Sequence, residues 1–132
     1  MEKSNMKHIL VVDDDPITRR LFGALLARAG FEVLYAKDGN EGREMARRFM
    51  PDLVLLDYNM PVMDGIQTAM KLKKEPGTLN ANTPIALLTN EDVSVEALKM
   101  IKEIGVADYI QKGVSNEEFI ERVKKILDSG AK

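Results

Sequence analysis

The sequence predicts one α/β domain, a parallel sheet with helices on both faces, and three observations carry that expectation. The blocks Ile9-Leu10-Val11-Val12, Leu53-Val54-Leu55-Leu56 and Ile85-Ala86-Leu87-Leu88 are apolar at every position, without the alternation of a strand that has one wet face. Such runs suit strands covered on both sides, as in the interior of a parallel sheet. Between them lie segments with helical spacing, so strand and helix alternate five times. The length, 132 residues, matches one domain of about 100–200 residues.

The first strand is expected at Ile9–Val12. The helix after it is announced by Asp15-Pro16 as cap and first helical residue, an i, i+4 stripe of Ile17, Leu21 and Leu25 with Phe22 and Leu26, and Gly30 as its stop. Phe31-Glu32-Val33-Leu34-Tyr35 alternates at its start, as an edge strand does. Residues Asn40–Phe49 and Gly65–Lys74 read as helices on either side of the Leu53–Leu56 strand, the latter ended by Pro76 and a polar loop, Gly77 to Thr83. A fourth stripe, Ala97, Leu98, Ile101 and Ile104, stops at Gly105 and leads into the weaker strand block Val106–Ile110. The last helix opens on Ser115-Asn116-Glu117-Glu118, which matches a capping box. It carries Phe119, Ile120, Val123 and Leu127, with Lys124 and Lys125 toward its carboxyl end.

Composition removes several classes of chemistry. Hydrophobic residues make up 45% and charged residues 30%, the balance of a globular protein. With no cysteine there are no disulfides, thiolate nucleophiles or cysteine-based metal centres. The single histidine, His8, sits where an apolar run is about to begin, as a solvent-facing strand-entry residue, and not where a zinc hydrolase or Ser-His-Asp triad needs imidazole. Nineteen Lys and Arg against 21 Asp and Glu leave a net charge of −2, which argues against direct nucleic-acid binding through a broad basic face. No apolar run approaches the ~18–20 residues of a membrane span, so no membrane insertion and a cytoplasmic location are expected.

In an open α/β sheet the ligand site lies beyond the carboxyl ends of the strands. Here the strand blocks run into Asp13-Asp14-Asp15, Asp57, Thr89 and, one residue past the Ile110 block, Lys112. Carboxylates converging from two adjacent strands repel one another unless a cation sits among them. With only oxygen donors, Mg²⁺, Mn²⁺ and Ca²⁺ all fit, and a small site with room for water favours Mg²⁺. A divalent cation, an ammonium (Lys112) and a hydroxyl (Thr89) together suit a phosphoryl group. No GxxxxGK[ST] or GxGxxG motif accompanies them, so no nucleotide is expected to deliver that phosphate from this chain. Asp57, alone at the end of a central strand, is the best-placed nucleophile, and an acyl phosphate there is the expectation. Taken singly, each residue has a plainer reading: Asp13–Asp15 as a helix cap, Leu53–Asp57 as a Walker B strand, Thr89 as a cap, Lys112 as a solvated lysine. Their joint occurrence carries the weight.

Ile9–Pro16 and Pro51–Gly65, the latter reading PDLVLLDYNMPVMDG, resemble response-regulator receiver domains, the CheY-like family of two-component signalling, and the resemblance runs from about His8 to Leu127. It implies a flavodoxin-like, doubly wound five-stranded sheet of order 2-1-3-4-5 with five helices. A receiver domain over 8–128 is expected, with a flexible segment at 1–7 and a tail at 129–132. By resemblance, Asp57 is the phosphoacceptor, and Asp13, Asp14, Asp57 and the carbonyl of Asn59 hold Mg²⁺. Thr89 follows the phosphoryl group, Lys112 pairs with it, and Tyr109 changes rotamer as Thr89 moves. Asn59 and Glu91 match positions that modulate hydrolysis of the acyl phosphate.

The implied donor is a sensor histidine kinase or histidine phosphotransfer protein. The chain after Lys112 suffices for one helix, so output is expected through a downstream protein target. The resemblance puts that target, or a homodimer, on the fourth helix, fifth strand and fifth helix, where Val93, Val95 and Met100 are candidates for an exposed apolar patch. Two residues depart from the family's pattern. Gly113 stands where a proline usually follows the lysine in a cis peptide. A non-proline cis bond costs about 2.5–4 kcal/mol, so a trans Lys112–Gly113 bond and a displaced ammonium are expected. Asn90 replaces a small residue after Thr89 and is expected to narrow access to Asp57. Two alternatives stay open: a pseudo-receiver that binds partners without phosphorylation, and a magnesium-dependent phosphohydrolase, for which Asp13 and Asp15 also have the right spacing.

Overall fold

The computed structural model describes residues 6–59, 65–74, 83–90 and 94–130. Pro76, most of the loop from Gly77, Glu91, Val93, part of the 51–65 motif and the chain ends therefore lie outside the described residues.

Five strands and five helices alternate: β1 (His8–Val12), α1 (Pro16–Arg28), β2 (Glu32–Ala36), α2 (Gly39–Phe49), β3 (Leu53–Asp57), α3 (Gly65–Lys74), β4 (Ile85–Thr89), α4 (Val95–Ile104), β5 (Asp108–Gln111) and α5 (Asn116–Gly130). The strands form one sheet in the order β2-β1-β3-β4-β5, and every adjacent pair is parallel. The fold is thus the doubly wound, CheY-like α/β sheet expected from the sequence.

Strand residues alternate between two apolar layers. Leu10, Val12, Val54, Leu56, Ile85 and Leu87 pack with residues of α2, α3 and α4. Ile9, Val11, Leu53, Leu55, Ala86, Leu88 and Ile110 pack with α1 and α5, where the rings of Phe22 and Phe119 meet at 4.7 Å. β1, β3 and β4 need apolar side chains on both faces because both faces are covered.

Local signals act largely as expected. Asp15 caps α1 and Pro16 opens it; Ser94 caps α4, which Gly105 closes in the left-handed region. Ser115 Oγ accepts from the Glu118 N–H at the start of α5, one arm of the capping box. α2 is capped by Asp38 and ends on Met50, a left-handed non-glycine residue with φ 46°.

Two expectations are corrected. Ile17 and Leu21 are 67% and 61% exposed, and α1 buries Phe22, Gly23 and Leu26 instead. The helix is turned so that the Tyr35 ring of β2 lies against Gly23, where a Cβ would meet its hydroxyl and ring, and this puts Ile17 and Leu21 outward while Leu25 stays packed on the core. α5 runs on to Gly130, so Lys124 and Lys125 lie before its last turn.

Candidate functional site

The site is built where β1, β3 and β4 end. Asp13, 0% exposed, follows β1 with its N–H on the Ala36 carbonyl at 3.1 Å. Asp57, 2% exposed, is the last residue of β3, and the next N–H, of Tyr58, bonds the Leu88 carbonyl at 2.7 Å. Gly65 opens α3 directly over this segment. A Cβ there would lie 2.7 Å from the Asp57 carbonyl oxygen and 2.9 Å from Tyr58 Cα, so only glycine admits this approach.

Carboxylate oxygens of Asp13, Asp14 and Asp57 all lie within 4.8 Å of one another. Asp13 and Asp57 are buried and Asp14 is exposed, so the cluster opens to solvent on one side. Lys112 reaches in from the turn after β5. Its side chain is 15% exposed, and the ammonium donates to Asp57 Oδ1 at 3.0 Å and Asp13 Oδ2 at 3.2 Å. The Asn59 N–H bonds Asp57 Oδ1 at 3.2 Å, which keeps this exposed residue beside the cluster. Thr89, buried, ends β4, and its carbonyl accepts from the Lys112 N–H at 2.8 Å.

One ammonium faces two buried carboxylates, and this setting registers in the titration of Asp57 and of Lys112. Burial, assisted by the Asp13 charge and opposed by the Lys112 hydrogen bond, pushes the Asp57 carboxyl up to about 6. Burial alone would lower the Lys112 ammonium, but the Asp57 hydrogen bond and the charges of Asp13 and Asp57 outweigh it and raise it. Asp15 goes the other way: the Thr18 hydroxyl, ahead of the other contributions, holds its carboxyl below the usual range. Asp15 is thereby committed to capping α1, and Asp13, Asp14 and Asp57 make up the cluster. An all-oxygen donor set with surplus negative charge fits a hard divalent cation.

The sequence-derived site residues Asp13, Asp14, Asp57, Asn59, Thr89 and Lys112 therefore come together at one edge. The expectation of a displaced ammonium is corrected. No described peptide bond is cis, yet Lys112 sits on the carboxylates, because its own N–H is tied to Thr89 and its charge to Asp13 and Asp57. Gly113 projects into open space. Tyr109 is half-buried against the α2–α4 layer, and Val95 and Met100 on α4 are exposed. Asn90 is exposed beyond Thr89.

Sequence reasoning missed two arginines. Arg19 of α1 donates from Nη1 to the Asp13 carbonyl at 2.7 Å. Its signal was a base near the start of a helix, where the helix dipole disfavours one. Arg122 of α5 holds both Asp108 oxygens, at 2.9 and 3.2 Å, and the Tyr109 carbonyl at 2.8 Å, fixing β5 to α5.

Comparison with known proteins agrees with this architecture. Residues 9–124 match the response regulator receiver domain. The chain is 36% identical over 124 residues to the phosphate regulon transcriptional regulatory protein PhoB of Pseudomonas aeruginosa, covering 92% of this chain and 52% of PhoB. It is 33% identical over 122 residues to PilH of the same organism, covering 92% of this chain and 98% of PilH. The chain thus spans about half of PhoB and nearly all of PilH. Among solved structures, the Vibrio cholerae chemotaxis protein CheY4 superposes with TM-score 0.84 at 30% identity, covering 92% of this chain and 98% of CheY4. A CheY-like receiver from Methanospirillum hungatei gives 0.87 at 27% identity, covering 96% and 98%.

Sheet order, acidic edge and these matches define a receiver of phosphorelay signalling, a class of signalling protein. In particular, the chain belongs to the response-regulator receiver domain family. Among the described residues no helix is long and apolar enough to cross a membrane.

Proposed function

We propose that this receiver takes a phosphoryl group on Asp57 in a Mg²⁺-dependent reaction and uses the added charge to switch a protein-binding surface. The single observation that carries the reading is the placement of Asp57: a buried carboxylate at a strand end, beside the acids that follow β1 and bonded by the Lys112 ammonium that also holds Asp13. Asp13, Asp14, Asp57 and the carbonyl of Asn59 would hold the cation, which supplies positive charge against the phosphoryl oxygens.

An Asp57 oxygen attacks phosphorus, forming the acyl-phosphate P–O bond as the donor's P–N bond breaks. The electron pair leaves with the donor imidazole, which takes up a proton. Lys112 shifts from the carboxylates to the new phosphoryl oxygens, and the Thr89 hydroxyl donates to another. The group adds about −1.5 to −2 charge, which draws Thr89 inward and lets Tyr109 follow, shifting a pre-existing equilibrium at the face of α4, β5 and α5. The donor is a sensor histidine kinase or phosphotransfer protein in the cytoplasm. The recipient is a downstream protein or a second receiver on the face that includes Val95 and Met100. The receiver unit is 8–128.

Acetyl phosphate tests this directly, with intact mass as the readout. Labelling by one phosphoryl group should require Mg²⁺ and vanish in Asp57→Asn; metal-independent labelling, or unchanged labelling of that variant, overturns the assignment.

A further inference from the structure

We propose that Arg19 is a positioning residue for the acidic pair: by bonding the buried main-chain carbonyl of Asp13 it sets the peptide joining Asp13 to Asp14, and so the direction in which both acids face a divalent cation. This rests on the cation-binding reading above and adds to it a residue outside the cluster.

The hydrogen bonds around Asp13 lead to Arg19. Asp13 is fully buried, so each of its polar atoms needs a partner. Its N–H has the Ala36 carbonyl, Oδ1 has the Asp15 N–H at 2.9 Å, and Oδ2 has Lys112. The carbonyl is the remaining atom, and the start of α1 directs its donors elsewhere. The Ile17 and Thr18 N–H groups turn to the Asp15 carboxylate, and the Arg19 N–H goes to the Asp15 carbonyl. The Arg19 guanidinium reaches back from α1 and fills the vacancy at 2.7 Å. A charge-assisted bond this short fixes the carbonyl, and with it the plane of the 13–14 peptide from which Asp14 departs.

The sign of the effect separates this role from simple electrostatics. Arg19 is a positive charge near a cation site, so if its charge alone mattered, a neutral residue would tighten cation binding. If it positions the acids, the neutral residue weakens binding, as loss of a supporting partner behind a metal ligand does. The two readings predict opposite changes from one substitution.

The test is Mn²⁺ binding to the unphosphorylated full chain, followed by electron paramagnetic resonance, for wild type, Arg19→Met, Arg19→Lys and the exposed neighbour Arg20→Met as a charge control. Arg19→Met should raise the Mn²⁺ dissociation constant about tenfold. Arg19→Lys should recover part of the loss, and Arg20→Met should leave affinity unchanged or slightly tighter. Acetyl phosphate labelling of Arg19→Met should approach the wild-type rate once metal saturates. Binding by Arg19→Met equal to or tighter than wild type overturns the positioning role. If Arg19→Met does not fold, Arg19→Lys against wild type decides on the same criterion. A wild type that binds no Mn²⁺ sinks the cation site itself, and this role with it.

Discussion

Two ion-paired regions of this domain use the same chemistry at different depths. Behind β5, Arg122 meets Asp108 through two hydrogen bonds and Glu118 at 3.5 Å, one base to two acids, in a half-exposed position. At the carboxyl edge Lys112 meets Asp13 and Asp57, one base to two acids, in a buried position with Asp14 alongside. The half-exposed group leaves its surplus charge to solvent and fastens an edge strand to a helix. The buried one keeps surplus negative charge in a place where charge is costly, which makes the edge receptive to a cation. What separates the two is depth; the stoichiometry and the residue types are the same in kind.

That contrast can be broken or sharpened by experiment. The largest effect should come from Lys112→Ala, which leaves two buried carboxylates without a counter-charge. Urea unfolding in chelator should show a loss of about 3 kcal/mol, much of it restored by Mg²⁺. Next, Gly65→Ala forces a Cβ against the Asp57 and Tyr58 backbone. It should cost about 1–3 kcal/mol by overpacking and slow acetyl phosphate labelling, because the nucleophile shifts.

A pH series probes the imbalance itself. The folded Asp57 carboxyl titrates near 6, above the ~3.9 of an unfolded chain, so the folded state binds that proton more tightly. Its contribution to metal-free stability is fully present below about pH 4 and is lost as the pH rises through about 6. Asp57→Asn should flatten that fall and leave the metal-free protein more stable than wild type at neutral pH, as read from denaturation midpoints. The smallest effect belongs to the half-exposed group. Arg122→Ala should cost about 1 kcal/mol and leave Mn²⁺ affinity within twofold, since a half-exposed pair carries little net energy.

The sheet and its acidic edge were readable because they rest on local patterns: uninterrupted apolar runs for β1, β3 and β4, and the residue that closes each run. The outward face of α1 was not readable. Ile17-Leu21-Leu25 and Phe22-Leu26 are both valid helical stripes, and the choice depends on Phe119 and Tyr35, far along the chain or on another element. The placement of Lys112 was misjudged for a related reason. The residue after it was weighed, while its position is fixed by a main-chain bond to Thr89 and by charges on β1 and β3. Arg19 is marked only by being a base near a helix start, and its partner is a backbone carbonyl, which no sequence pattern identifies.

Met50 closes α2 with a left-handed backbone and an exposed side chain, at the end of the sheet opposite the acids. Replacing it with glycine should add up to about 1 kcal/mol, because the strained torsion is relieved and little packing is lost. Met50→Gly therefore offers a reinforced background in which the costlier edge variants can be purified and compared, without disturbing the groups under study.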